Sequence, residues 1–132
     1  MRSSRAEIKI EDILRRAGIN FKEEYSFPDL IGQNGHALRF DFAVFDDNDD
    51  LEFLIEYQGI QHYKPKSVFG GMSGLRKQQF YDMQKREYCK KHNIKLILIP
   101  YWDEARINYD YIMNLADTFW FFWKVRGDFF DR

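Results

Sequence analysis

The sequence predicts an α/β fold, a mixed β-sheet of about four strands flanked by α-helices. Three observations predict it. Two segments with helical periodicity, 4–17 and 75–92, each carry an apolar stripe and a stop residue. Between them lie three runs with strand patterning, 19–27, 38–45 and 51–57. After the second helix comes IKLILIP at 94–100, an unbroken apolar run of the kind a strand covered on both faces requires. A chain of 132 residues is sized for one domain that buries roughly two-thirds of its unfolded surface. Hydrophobic content of 45%, with aromatics at 18%, is enough to fill that core, which excludes intrinsic disorder.

Each element has its own signal. Ser4–Ala17 places Ala6, Ile10, Ile13, Leu14 and Ala17 on one stripe, and Gly18 stops it. Ile19–Phe27 alternates as a strand that Pro28 should end, leaving 28–37 (PDLIGQNGHA) as a turn-rich loop. Leu38–Phe45 and Leu51–Tyr57, joined by the polar DDNDD, read as an antiparallel hairpin. The Gly-containing VFGGMSG at 68–74 reads as a loop leading into helix Leu75–His92, which Asn93 ends. A strand over Ile94–Pro100 and an aromatic helix over 108–124 close the order α-β-β-β-α-β-α, with 1–132 as a single domain.

Composition excludes several classes. No stretch approaches the roughly 20 apolar residues of a membrane span, and the N-terminus is too charged for a secretory signal. A single cysteine, Cys89, excludes an internal disulfide and a cysteine-rich zinc site, and fits a reducing, cytoplasmic setting. The net charge of −1 conceals an uneven distribution. Residues 41–56 hold seven acids and no Lys or Arg, whereas 64–95 hold nine bases against Asp82 and Glu87. A solvated helix face explains such a run; so does a basic surface beside an acidic pocket, the arrangement a polyanion-cleaving enzyme needs.

Strand alternation sends Phe40, Phe42 and Val44 to one face and Arg39, Asp41, Ala43 and Phe45 to the other. On the next strand Leu51, Phe53, Ile55 and Tyr57 oppose Glu52, Leu54 and Glu56. Pairing the apolar faces brings Asp41 and Glu56 together, with Gln58 continuing that face and His62 four residues beyond. Two rigidly held carboxylates suit Mg²⁺, which prefers hard oxygens and completes its shell with water and phosphate. A wet hairpin face with ordinary acids is the alternative. On the long helix, Gln78, Asp82, Lys85 and Cys89 share the stripe that faces the sheet, where unpartnered charges are uncommon. An i,i+3 ion pair would account for Asp82 and Lys85 structurally. Ser4 and Glu7 have the spacing of a capping box, yet Glu7 also borders the buried stripe and has a path to the same site.

These motifs together resemble a known superfamily. S-x-x-E at Ser4–Glu7, L-x-x-x-G-I-x-F at Leu14–Phe21, RFDF with Asp41, EYQGIQH, D-x-x-K at Asp82–Lys85 and LILIPYW are similar to the restriction-endonuclease-like PD-(D/E)xK nucleases. The nearest branch is the very-short-patch-repair type, whose E-D-x-H-D signature also occurs in phage homing endonucleases. The resemblance spans about residues 4–102 and implies a restriction-endonuclease-like fold and a metal-dependent DNA endonuclease. It assigns the signature to Glu7, Asp41, His62 and Asp82, and the superfamily motif to Asp41, Glu56 and Gln58. Gln58 stands where that motif has lysine; Gln has no positive charge and cannot act as a base, so the role is vacant or moves to Lys85 or His62.

What the resemblance implies is hydrolysis of double-stranded DNA with Mg²⁺, or Mn²⁺ in its place, held by Asp41 and Glu56. His62 would activate water, Asp82 would orient His62, Glu7 would position a metal-bound water, and Lys85 would meet the scissile phosphate. Lys64, Lys66, Arg76 and Lys77 are the expected DNA-binding bases. Specificity would come from loop 28–37 or 64–74, from a fused targeting domain or from a homodimer. A mismatch- or structure-specific nickase, or an inactive DNA-binding module of the same fold, are the competing expectations. Phe69, Trp120 or Trp123 would serve as aromatic wedges, though helical spacing favours the core.

Overall fold

The computed structural model describes residues 4–117; the expected aromatic run at 119–123 and the segment after it lie outside the described residues. The order is α1 (Arg5–Arg16), β1 (Asn20–Ile31), β2 (Ala37–Phe45), β3 (Leu51–Gln58), 3-10 turns at Ile60–His62 and Ser67–Phe69, α2 (Gly71–Lys91), β4 (Leu96–Pro100) and a 3-10 segment Tyr101–Arg106. Helical residues 109–117 follow, covering the first part of the expected closing helix. The sheet order is β1-β2-β3-β4, antiparallel through β3 and parallel between β3 and β4. The four-stranded mixed sheet flanked by helices is therefore the fold class expected from the sequence.

Local chemistry explains the helix ends. Ser4 caps α1 by accepting from the Glu7 backbone N–H while the Glu7 side chain answers to the Ser4 backbone, the complete capping box. Gly18, at φ 70°, turns the chain out of α1, and the Ile19 N–H bonds back to the Leu14 carbonyl. Asn93 does the same for α2, with φ 57° and Ile94 N–H donating to the Cys89 carbonyl.

The two faces of the sheet carry different helices. Ala6, Ile10 and Leu14 of α1, with Ile107, Ile112 and Ala116, pack on Phe42, Val44, Phe53, Ile55, Ile97 and Ile99. On the other face Cys89 of α2 joins Leu38, Phe40, Ala43, Leu54 and Leu96. Ile10 and Leu14 are fully buried, so truncating Leu14 to Ala would cost about 2–5 kcal/mol.

Three expectations are corrected. β1 does not end before Pro28 but runs to Ile31. It is an edge strand, and Pro28 lies in the irregular stretch between the Ser26↔Arg39 and Ile31↔Ala37 pairs, where the missing N–H removes no ladder bond. α2 starts at Gly71 rather than Leu75, so four of the seven residues of the expected 68–74 loop belong to the helix. Finally, Phe40 does not share a face with Phe42 and Val44. Glu24 and Asp41 drop out of the β1–β2 ladder between Glu23↔Phe42 and Tyr25↔Phe40, and Glu24 has a φ of 49°. The bend rotates both strands by one residue and sends Phe40 to the α2 side.

Candidate active site

The site begins where the β2–β3 ladder opens. Backbone pairing runs from Phe45↔Leu51 to Phe42↔Ile55, and the next partners in sequence are Asp41 and Glu56. There, side chains replace the ladder. The Asp41 N–H donates to Glu56 Oε1 at 2.9 Å, and the Tyr57 N–H donates to Asp41 Oδ2 at 2.7 Å. Each carboxylate closes a backbone group on the opposite strand, which locks the pair in register and sets Asp41 at the mouth of the opening.

The expected partnership of these acids is thus present, with consequences for charge. Burial raises the Asp41 carboxyl most, and the charges of Glu56 and Glu7 raise it further, to about 8; the Tyr57 N–H and Lys85 oppose this. Glu7 has the capping role expected of it, and its charge is also felt at Asp41.

Helix α2 supplies the other half. Asp82 and Lys85 are both buried, and neither is explained by an ion pair with the other. Lys85 Nζ binds Glu56 Oε2 at 2.5 Å and lies 5.4 Å from the centre of the Phe40 ring. Asp82 Oδ2 meets His62 Nδ1 at 2.8 Å, with Gln78 Nε2 donating to the other Asp82 oxygen at 3.2 Å. A carboxylate only accepts, so Nδ1 is the ring nitrogen that donates to Asp82, and Nε2 is the one turned away from it. Two dyads, Glu56–Lys85 and His62–Asp82, thus bridge β3 and the 3-10 turn that follows it to adjacent turns of one helix. Removing one member of a buried ion pair costs about 3–5 kcal/mol, because the remaining charge is stranded.

Gln58 is buried but turned to a neighbour, its Oε1 accepting from the Tyr63 hydroxyl at 2.6 Å. Lys85 is the ammonium that contacts Glu56 instead, held from α2 rather than from β3. That pairing neutralises Glu56. Lys64, Lys66, Arg76 and Lys77 are exposed around the 64–77 segment, outside the dyads. Cys89 is buried and its thiol is pushed up to about 12 by burial, which makes it part of the core.

Two further residues frame the site. Glu104 Oε1 accepts from the Tyr57 hydroxyl at 3.2 Å, its Oε2 pairs with Arg5, and its carbonyl accepts from Lys9 Nζ, tying the first turns of α1 to β3. Tyr63 fixes Gln58. Adjacency to His62 marks Tyr63 in the sequence, but nothing local marks Glu104, which lies 99 positions from Arg5.

The donor chemistry fits a hard divalent cation at Asp41. One Asp41 oxygen is taken by the Tyr57 N–H, and none of the hydrogen bonds among the described residues occupies the other. Glu56 fits less simply, since Asp41 N–H engages one oxygen and Lys85 the other. No three His, Cys, Asp or Glu residues converge as a complete ligand set among the described residues. Mg²⁺ accommodates this, because it commonly keeps one or two protein carboxylates and fills its shell with water and substrate oxygens. Of the two expected metal-holding acids, Asp41 keeps one oxygen free of hydrogen bonds among the described residues, and Glu56 braces the Asp41 backbone.

Comparison with known proteins adds kinship without an activity. No family model matches the sequence and no solved structure matches the fold. The chain is 48% identical over 69 residues to uncharacterized protein 094L of Frog virus 3 (isolate Goorha), covering 51% of this chain and 42% of that protein. It is 35% identical over 75 residues to uncharacterized protein 307L of Invertebrate iridescent virus 6, covering 56% of this chain and 36% of that protein. In both cases the matched stretch spans less than half the length of the viral relative.

Proposed function

We propose that the chain is a metal-dependent DNA endonuclease domain that hydrolyses phosphodiester bonds, in the manner of the restriction-endonuclease-like PD-(D/E)xK nucleases. The observation that carries the reading is the pair of buried dyads, His62–Asp82 and Glu56–Lys85, arrayed beside a carboxylate at the opening of a strand ladder. A merely structural ion pair needs neither the histidine nor the raised carboxyl at Asp41.

Asp41, ionised, would hold Mg²⁺ or Mn²⁺. The bound ion would supply Lewis-acid stabilisation of charge on the phosphate oxygens. Asp82 holds His62 by Nδ1, so Nε2 is the atom able to take a proton from the attacking water. Ionised Asp82 also stabilises the imidazolium that this transfer creates. Lys85 keeps Glu56 neutralised, and Glu56 in turn anchors the Asp41 backbone. Glu7 would help position a metal-bound water, and the exposed bases Lys64, Lys66, Arg76 and Lys77 would draw in the polyanion. Among the described residues no helix is long and apolar enough to cross a membrane. The expected setting, the cytoplasm of a bacterial host or phage-infected cell, rests on the single cysteine, and the relatives found are viral.

The test is cleavage of supercoiled plasmid by the purified chain with Mg²⁺, with Mn²⁺ and with EDTA. Metal-dependent nicking that disappears in Asp41→Ala and His62→Ala supports the reading. Equal cutting by both variants and the parent sinks it, and the nicked-to-linear ratio separates a nickase from a double-strand cutter.

A further inference from the structure

We infer that the rings of Tyr63 and Trp102 form a shelf that stacks an unpaired nucleobase beside His62, so that this site takes nucleic acid with an unstacked base near the scissile phosphate. The inference rests on the nuclease reading for its location, but on separate residues for its content.

The shelf is assembled by the parallel register of β3 and β4. Gln58 pairs with Pro100, so the residues that leave the two strands emerge side by side. Tyr63 directly follows His62, and Tyr101 and Trp102 directly follow Pro100. The Tyr63 and Trp102 rings lie 4.9 Å apart at 54°, and Tyr101 backs both, at 5.7 and 5.3 Å. Two large rings are nevertheless left open to solvent, Trp102 at 61% and Tyr63 at 37%. Buried aromatics are core; rings that are braced and exposed together form a contact surface.

Three features select a base as the occupant. Tyr63 donates its hydroxyl to Gln58, which fixes the ring beside the groups proposed to cut a phosphodiester. Lys64 and Lys66 follow at once, exposed, and the Tyr63 hydroxyl feels the charge of Asp82 as well as that of Arg86. The acids nearby are engaged, Asp82 by His62, Asp103 by Arg106 and Glu104 by Arg5, which leaves the two lysines as the charges offered beside the rings. The position is also fixed relative to His62 by one peptide bond. An apolar peptide would need none of these cations, whereas a nucleotide needs an exposed ring to stack on and a cation for its phosphate. A base still stacked in a perfect duplex presents only its edge to such a shelf, so the preference is for a base that is already free.

The test separates binding from cutting. His62→Ala protein, unable to cut, is titrated in EDTA against oligonucleotides carrying 2-aminopurine in a single strand, opposite a one-base bulge, or within a perfect duplex. Affinity is read by fluorescence anisotropy, and stacking by loss of 2-aminopurine emission. The expected result is tighter binding and quenching with the single-stranded and bulged probes. Adding Trp102→Ala should weaken these about 5- to 150-fold while changing duplex binding little, and Trp102→Phe should restore most of the loss. Equal affinity for all three probes, no binding at all, or an unchanged Trp102→Ala would overturn the shelf. Plasmid cleavage by the parent chain is scored in parallel. Cutting that persists while Trp102→Ala has no effect removes the shelf and leaves the nuclease; quenching without any cutting does the reverse.

Discussion

The hairpin of β2 and β3 has acids at both ends, and they behave in opposite ways. At the turn end, Asp46 Oδ1 accepts from the N–H groups of Asn48 and Asp50 at 2.8 and 3.0 Å, and Asp49 accepts from Asn20 at 2.7 Å. Asp46 thus satisfies turn N–H groups while half-buried, and Asp49 takes a side-chain amide while exposed. At the open end, Asp41 and Glu56 also accept backbone N–H groups, yet they are withdrawn from water and crowded by like charge. The dense acidic run is thus turn chemistry, and the two acids isolated among apolar residues form the site. Acidity alone does not set the two ends apart; desolvation and like-charge crowding do.

Substitutions at the two ends should break this comparison sharply. Asp41→Ala is expected to abolish metal-dependent cleavage, whereas Asp47→Asn, on an exposed turn residue, should leave the rate and the stability within about 0.5 kcal/mol of the parent. Plasmid nicking and urea denaturation of the two proteins check both arms. A next-largest effect belongs to the second dyad. His62→Ala and Asp82→Asn should each lower the cleavage rate about 10²- to 10⁴-fold, and the double variant should be little worse than either single one. Additive losses in single-turnover kinetics would mean that the two residues do not act as a unit.

Stability tests sharpen the same contrast. Lys85→Ala leaves Glu56 buried without its cation and should cost about 3–5 kcal/mol by chemical denaturation. Lys85→Met with Glu56→Gln should recover much of that loss without recovering cleavage. Asp46→Ala, by comparison, removes two turn hydrogen bonds and should cost about 1 kcal/mol.

The pH response follows from the raised carboxyl of Asp41. Its folded value of about 8 lies above the ordinary 3.8, so the native state holds an extra proton between those pH values. The associated stability is fully present below about pH 4 and is lost as pH rises through about 8. Asp41→Asn should flatten this decline in Tm measured without metal. Because a cation competes with that proton, cleavage at low Mg²⁺ should rise with pH toward 8, and its midpoint should move down as Mg²⁺ is increased. A midpoint that ignores Mg²⁺ concentration would assign the titration to another group.

Periodicity and stop residues made most of the architecture legible. The α1 cap, the Gly18 and Asn93 stops, the β2–β3 hairpin and the buried β4 run are local signals, because each depends on neighbours within a few positions. The stripe of Asp82, Lys85 and Cys89 was legible for the same reason, since helical geometry alone puts these residues on one side. Other features were hidden. Pro28 reads as a strand end because sequence does not reveal that β1 is an edge with an irregular register there. Phe40 reads with Phe42 because simple alternation contains no bend at Glu24 and Asp41.

What the sequence determined by itself, then, is the set of elements and the charged residues that face inward from them. Only the tertiary structure decided which charges meet. Asp82 takes His62 and Lys85 takes Glu56, although spacing alone would pair Asp82 with Lys85. Glu104 reaches Arg5 across nearly the whole described chain, and Tyr63 joins Trp102 only because β3 and β4 are parallel neighbours. The physical reason is the range of the forces involved. Helix and turn preferences are settled within about four residues, but a buried charge takes whatever partner packing delivers, and packing is decided by the whole sheet at once.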